Sequence, residues 1–279
     1  MAFDAFYGAI YGERWPALRA ALGGQARPLG FMALESGGYE LFDPETGAGA
    51  RDDSPQAYYL DAASVMAASA LDLPEKGDVL DACAAPGGKS LVLAARLPAG
   101  ARLLANELSA DRRRRLRTVL DSCLPRHVRA RVSILGADAA SLCLRRPQAF
   151  AAILLDAPCS SERHVLADAA ALSAWSPARP RSLARRQWAL LSSAWHMLAP
   201  GGCLVYATCS LNPGENQEVA LRLIERHGES LVVDPVALEG AEPAGAGFII
   251  LPDRSGGAGP MFVFKARKSA SDAYAEPGP

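Results

Sequence analysis

Two cysteines sit in short polar contexts suited to covalent chemistry: Cys159 in Asp156-Ala157-Pro158-Cys159-Ser160, and Cys209 in Thr208-Cys209-Ser210. Each follows an apolar run that reads as a strand, over 151–156 and 202–208. Open α/β sheets hold ligands beyond the carboxyl ends of their strands, and a thiolate placed there is a nucleophile. The six cysteines (83, 123, 143, 159, 203 and 209) form no C-x-x-C pair and no regular spacing, so free thiols fit better than a disulfide frame. Cys83, Cys123, Cys143 and Cys203 read as small apolar filler or surface residues. A three-thiolate metal site would lack a fourth ligand, and the four histidines are scattered.

A loop at the end of another strand is the second centre of chemistry. The strand over 78–83 leads into Cys83-Ala84-Ala85-Pro86-Gly87-Gly88-Lys89-Ser90, and a helical pattern follows over 89–97. Gly87 and Gly88 carry no Cβ, so a ligand can lie against the backbone there. The helix start offers free N–H groups to an anionic group. Lys89 is one of only four lysines among 29 basic residues, which suggests a point-charge role. Four readings stay open at this stage: a P-loop, a dinucleotide loop, an S-adenosylmethionine loop and a plain turn. The P-loop pattern ends correctly in Gly88-Lys89-Ser90 but has Cys83 where its first glycine belongs, although Ala151–Asp156 resembles a Walker B strand. The dinucleotide fingerprint G-x-G-x-x-G is missing.

Acids recur at strand ends: Asp81, Glu107, Asp138 and Asp156. Glu107, about 20 residues past the loop, suits ribose hydroxyls, and Asp138 suits the adenine side. Any one of them reads equally well as a cap or a solvated acid; four at one edge do not.

The elements that must position these residues follow from periodicity. Strands are expected at 78–83, 102–107, 131–136, 151–156 and 202–208, and helices at 89–97, 109–123, 182–199 and 214–227. The alternation predicts an α/β fold with a doubly wound, mostly parallel sheet. A final pair of strands is expected at 247–251 and 260–266. Upstream, a helix is expected from Pro55 to Leu71, and residues 26–54 read as a loop with one short strand pair. Residues 1–25 read as an amphipathic helical segment packed on the core, stopped by Gly23-Gly24. The domain division is therefore 1–54 (N-terminal extension), 55–268 (main domain) and 269–279 (loose tail). At 279 residues the chain can bury a substantial core. It has no membrane-length apolar run and no signal or transit-like leader, so a bacterial cytoplasmic protein, acting as a monomer, is expected. The net charge of −1 argues against nucleic-acid binding by global charge, but not against a local patch.

Three segments together resemble the Nop2/Sun (NSUN) family of RNA cytosine-C5 methyltransferases: Asp81–Ser90, Leu155–Ser160 and Val205–Asn216. The resemblance covers about residues 55–267. The N-terminal Tyr7, Gly8, Tyr11, Gly12, Trp15 and Pro16, with Tyr58–Ser64, look like the mitochondrial ribosomal-RNA branch of that family. The resemblance implies a Rossmann-like methyltransferase domain and a methyl donor, S-adenosyl-L-methionine. It implies that Cys83, Ala84, Ala85, Pro86, Gly87, Gly88, Lys89, Glu107, Arg112, Asp138 and Asp156 contact that cofactor. It further implies Cys209 as the nucleophile, Cys159 as the group assisting release, and Asp156 and Lys89 beside the target base. The substrate it implies is RNA, ribosomal RNA first and transfer RNA next.

Two features depart from the family pattern. Ser161-Glu162-Arg163-His164 follows Pro158-Cys159-Ser160 where many members have glycine, and Gln217 stands where an acid is common. The first stretch is expected on the RNA side. Arg112–Arg117 holds five arginines, and Arg179, Arg181, Arg185 and Arg186 form a second group; both read as solvated helix faces or as phosphate contacts. No added RNA-binding module is visible, so recognition would rest on the N-terminal segment, on RNA shape, or on a partner protein or ribosomal particle. A catalytically silent assembly factor and a DNA cytosine methyltransferase are the alternatives. Retention of both cysteines argues against the first, and the Thr208-Cys209-Ser210 motif against the second.

Overall fold

A computed structural model describes residues 2–24, 28–45 and 56–270. The chain enters through two helices, α1 (Ala2–Tyr11) and α2 (Trp15–Gly23), joined by a 3₁₀ turn at Gly12–Arg14. Their apolar residues share one face, and Phe3, Tyr7, Trp15, Leu18 and Leu22 are all buried. Phe3 meets Trp175 edge-on with centroids 5.2 Å apart, and Tyr7 stacks on Trp15 at 5.4 Å. Arg14 fastens this segment to a distant part of the chain. Its guanidinium donates to both Glu242 oxygens at 2.7 Å and to the Asp253 oxygens at 2.6 and 2.9 Å.

The expected strand pair is present as β1 (Leu29–Ala33) and β2 (Tyr39–Phe42), but a third strand, β3 (Tyr58–Leu60), joins the other edge of β1. The helix expected from Pro55 therefore starts later, as α3 (Ala62–Ser69). Two tyrosines and a leucine favour an extended backbone. Asp61 then caps α3, its Oδ1 accepting from Ala63 N at 2.7 Å. Pro55 itself, residues 46–54 of the expected loop and residues 271–279 of the expected tail lie outside the described residues.

From residue 76 the strand–helix alternation holds. In chain order come β4 (Lys76–Asp81), α4 (Gly88–Ala95), β5 (Gly100–Asn106), α5 (Ala110–Cys123), α6 (Arg126–Arg129), β6 (Val132–Leu135) and β7 (Phe150–Asp156). Then follow α7 (Glu162–Ala167), α8 (Ala169–Ser173), α9 (Ala178–Met197), β8 (Leu198–Thr208) and α10 (Gln217–His227). The short strands β9 (Leu231–Val233), β10 (Ala241–Ala244) and β11 (Gly247–Ile250) precede β12 (Met261–Lys268). The sheet order is β10-β11-β12-β8-β7-β4-β5-β6, with β9 also on β12. β8, β7, β4, β5 and β6 are parallel, and β12 runs antiparallel to β8. This is the expected doubly wound sheet with an antiparallel C-terminal strand.

Alternate residues face opposite layers, as the strand pleat requires. Val79, Leu103, Val205 and Val263 pack towards α3, α4 and α5. Leu80, Ile153, Leu204, Tyr206 and Phe264 pack towards α9, α10 and the N-terminal helices. Register sets the site: Asp81 lies opposite Leu154, and Asp156 opposite Ala207, so the ends of β4, β7 and β8 step forward by two residues and then one along the same edge. Among the described residues no helix is long and apolar enough to cross a membrane.

Arg14→Ala should destabilise the fold by about 1–2 kcal/mol, below the range for a fully buried pair because Arg14 and Glu242 are 23% and 26% exposed. The Arg14 guanidinium holds the Glu242 carboxyl below its usual range. That stabilisation is present above the unfolded value of 4.5 and is lost as pH falls through the lower folded value, so the mutational difference should shrink in acid. Denaturant melts at neutral and acid pH check this; a difference that does not change with pH would contradict it.

Candidate active site

The loop after β4 is held in place by side chains from neighbouring strand ends. The Asn106 amide, at the end of β5, donates to Ala82 O and Ala137 O at 3.0 Å and accepts from Ala137 N at 3.0 Å. It ties together the loops after β4 and β6. Arg112 donates to Ala85 O and faces Glu107 at 3.4 Å. The missing Cβ atoms of Gly87 and Gly88 serve packing as much as ligand approach. A Cβ on Gly87, whose φ is +127°, would meet Val119 at 2.9 Å; one on Gly88 would meet Tyr58 at 3.0 Å.

Three hollows line this edge. One of about 190 Å³ is bordered by Tyr58, Ser64, Asp81, Cys83, Lys89 and Asp156. A second, of about 340 Å³, is bordered by Cys83, Asn106, Glu107, Arg112, Pro158 and Arg186. The third, of about 370 Å³, is bordered by Asp61, Ser64, Ser161, His164, Cys209 and Met261. Cys83 is common to the first two, and Ser64 to the first and third.

In the first hollow Lys89 Nζ donates to Asp156 Oδ2 at 2.9 Å and to Ser64 Oγ at 3.2 Å. Burial opposes the Lys89 charge, but the Asp156 carboxylate outweighs it and the ammonium is held above its ordinary range. Asp81 is fully buried; Oδ2 accepts from Ser90 Oγ at 2.6 Å, the Cys83 backbone lies near the carboxyl, and Oδ1 meets no donor in hydrogen-bond geometry among the described residues. Burial pushes the Asp81 carboxyl up to about 7 against the pull of Ser90. An orphaned carboxylate oxygen in such a hollow fits a ligand ammonium.

Cys159 and Cys209 are brought together across the β7–β8 register, with Sγ atoms 2.7 Å apart and both thiols free. Cys209 N donates to Cys159 Sγ at 3.3 Å, and Ser161 Oγ lies 3.1 Å from Cys209 Sγ. The Cys159 thiol, the Ser161 hydroxyl and the Lys89 ammonium hold the Cys209 thiol below its ordinary range, against burial and the Asp156 carboxylate. The Cys159 thiol is pushed well up by its bond to Cys209 and by burial. When the pair gives up one proton, Cys209 is therefore the thiol that loses it.

The residue after each cysteine anchors the pair. Ser160 Oγ and Ser210 Oγ are 2.9 Å apart, between two fully buried carboxyl groups. Glu162 accepts from Tyr7 OH, Ser160 Oγ and, at 2.9 Å, Leu211 N. Glu215 accepts from Ser160 N at 2.9 Å, Gln187 Nε2 at 2.8 Å and Ser210 Oγ at 2.9 Å.

The expected site residues separate into groups. Residues 83–89, Asp156, Lys89 and Cys209 border the first or third hollow, and Glu107 and Arg112 border the second. Asp138 is paired with Arg186 at 2.5 Å, which holds its carboxyl below the usual range, and Arg186 reaches the second hollow. Of the stretch expected to face RNA, Ser161 and His164 border the third hollow, while Glu162 is buried and Arg163 donates to the Gly257 and Gly259 carbonyls. Glu215, in the expected helix at 214–227, is buried. Asn106, Ser64, Glu162 and Glu215 were not expected in the site. The Asp81 position at a strand end was the one available signal for its role.

A family model described as "16S rRNA methyltransferase RsmB/F" matches residues 68–265. The chain is 38% identical over 228 residues to ribosomal RNA small subunit methyltransferase F of Klebsiella pneumoniae, covering 79% of this chain and 47% of that protein. It is 38% identical over 223 residues to the protein of the same name from Erwinia tasmaniensis, covering 77% and 45%. The chain thus spans about half the length of the curated relatives it matches. A solved methyltransferase homolog from Pyrococcus horikoshii superimposes with a TM-score of 0.72 at 23% identity, covering 94% of this chain and 93% of that one. NSun6 from Pyrococcus horikoshii with SFG gives 0.64 at 23% identity, covering 83% and 64%. These two structures share the fold.

The raised Asp81 carboxyl carries a stability consequence. Ionising it costs the folded state more than the unfolded one, so stability is lost as pH rises from 3.8 towards about 7. Asp81→Asn should melt above the wild-type protein at about pH 8, and the gap should close in acid. Thermal melts across pH check this; a gap that does not change with pH would contradict it.

Proposed function

Given that the chain belongs to the family of 16S rRNA methyltransferases RsmB/F, we infer that it methylates C5 of a cytosine in RNA, with S-adenosylmethionine as donor and small-subunit ribosomal RNA as substrate. The observation that carries the reading is the pair of free thiols 2.7 Å apart, with Cys209 bordering the hollow that Ser161 and Met261 also line.

S-adenosylmethionine, when bound, supplies an electrophilic methyl group. The chain's own residues fit it: the orphaned Asp81 oxygen suits its ammonium, and Glu107 suits a ribose diol. Residues 83–89, Arg112 and Asp156 complete the binding edge, with Asp138 fixing Arg186 beside it. The third hollow receives the target base, which must be unpaired or flipped to reach Cys209.

Cytosine C5 is a weak nucleophile. Addition of the Cys209 thiolate to C6 makes a C6–S bond and turns C5 into an enamine-like carbon able to take a methyl group. Asp156 polarises the N3/N4 edge, and Lys89, bound to Asp156, favours the Cys209 thiolate. Release needs the C5 proton removed, so that the C5–H electrons restore the ring double bond and Cys209 leaves as thiolate. Cys159 assists this step, directly or through water.

The proposal further takes residues 1–54 as an extension on a methyltransferase domain at 55–268, and the protein as a cytoplasmic monomer. Transfer RNA is the second substrate class.

Cys209→Ala should abolish methyl transfer to unmodified small-subunit ribosomal RNA. Cys159→Ala should leave protein covalently attached to RNA, visible as a slower band on a denaturing gel. If Cys209→Ala formed that band and Cys159→Ala did not, the two roles would be reversed.

A further inference from the structure

The loop that carries Cys159 makes an unusual turn at Ser161. Its φ and ψ are +52° and +62°, the left-handed region that a residue with a Cβ enters at a cost. Glycine would relax this backbone, so the fold alone gives no reason for a side chain at 161. That side chain has a place to act. Its Oγ is 3.1 Å from Cys209 Sγ, and 3.5 Å from both Cys159 Sγ and Cys159 O. A hydroxyl has a single proton to donate. The shortest contact is to Cys209 Sγ, the acceptor that becomes charged when the thiol ionises, and a bond to a charged acceptor is the stronger choice.

We propose that Ser161 is a catalytic residue whose hydroxyl donates to Cys209 Sγ and stabilises the thiolate. This rests on Cys209 being the nucleophile. Ser161 borders the third hollow together with Cys209, so the donor sits on the side from which a base approaches. Lys89 acts from the other hollow and is already engaged by Asp156 and Ser64. Ser161 and Cys159 are then the two direct hydrogen-bond donors to the sulfur. The same hydroxyl receives the sulfur as it leaves C6 as a thiolate, so it favours both the first and the last step.

Two substitutions separate this role from a structural one. Ser161→Gly removes the hydroxyl and relieves the backbone; Ser161→Ala removes the hydroxyl and keeps the turn strained. Alkylation of Cys209 by iodoacetamide, followed across pH by mass spectrometry of the Cys209 peptide, reads the thiolate without needing RNA. Both variants should show the alkylation midpoint raised by about half to one pH unit and Cys209 reactivity near neutral pH lowered about 3–10-fold. kcat for methyl transfer should fall with it while KM for RNA holds, and Ser161→Gly should melt no lower than the wild-type protein. An unchanged midpoint in Ser161→Gly, whatever its melting temperature, would overturn the proposal. A raised midpoint in a protein whose wild-type form transfers no methyl group would uphold the hydrogen bond and overturn the C5 reading.

Discussion

The structure depends on a pair of buried carboxyl groups that hold two serines. Glu162 and Glu215 are both fully inaccessible, and between them lie the hydroxyls of Ser160 and Ser210. Each serine is the neighbour of a cysteine. Buried carboxylates are costly unless every lone pair finds a donor, so the cluster tolerates little displacement. Donors come from far apart in the chain: Tyr7 from α1, Gln187 from α9, and the backbone of Ser160 and Leu211. The N-terminal helices are therefore part of the machinery that fixes the thiols, and not only a cover for the sheet. Burial and the neighbouring Glu162 raise the Glu215 carboxyl above its ordinary value, against the hydrogen bonds from Ser160, Gln187 and Ser210.

Hydrogen bonding favours ionisation of one sulfur over the other. The Cys159 thiol, the Ser161 hydroxyl and, more weakly, Lys89 lower Cys209, against burial and Asp156, which is itself bound to Lys89. Cys159 has only the Cys209 sulfur and burial acting strongly on it, and both keep it protonated. The asymmetry assigns different tasks to two chemically identical side chains. It also explains why Lys89 stands in the loop: a compact ammonium reaches Asp156 and Ser64 at once within a narrow space.

The sheet was legible because its strands are apolar runs separated by helical periodicity. Strand β3 was not, since Tyr58–Leu60 also fits the face of a helix and its partner β1 is nearly thirty residues away. The cysteines, Lys89 and the strand-end acids were legible from type and position. The meaning of Glu162 and Glu215 was not. A glutamate beside an arginine and a histidine reads as solvated, and its burial is decided by Tyr7 and Leu211, which no local pattern connects to it. At Gly87 and Gly88, where the sequence suggests room for a ligand against the backbone, Val119 and Tyr58 crowd the place a Cβ would take.

The central claim is that the sulfur of Cys209 bonds to carbon 6 of a cytosine. Small-subunit ribosomal RNA synthesised with 5-fluorocytidine carries no removable proton at C5, so an adduct formed by the thiolate and methylated cannot be released. Digestion of that complex and mass spectrometry of its peptides identifies the attached residue. The account predicts the fluoropyrimidine on the peptide containing Cys209; its recovery on the peptide containing Cys159, or no adduct with RNA that the protein methylates, would contradict it.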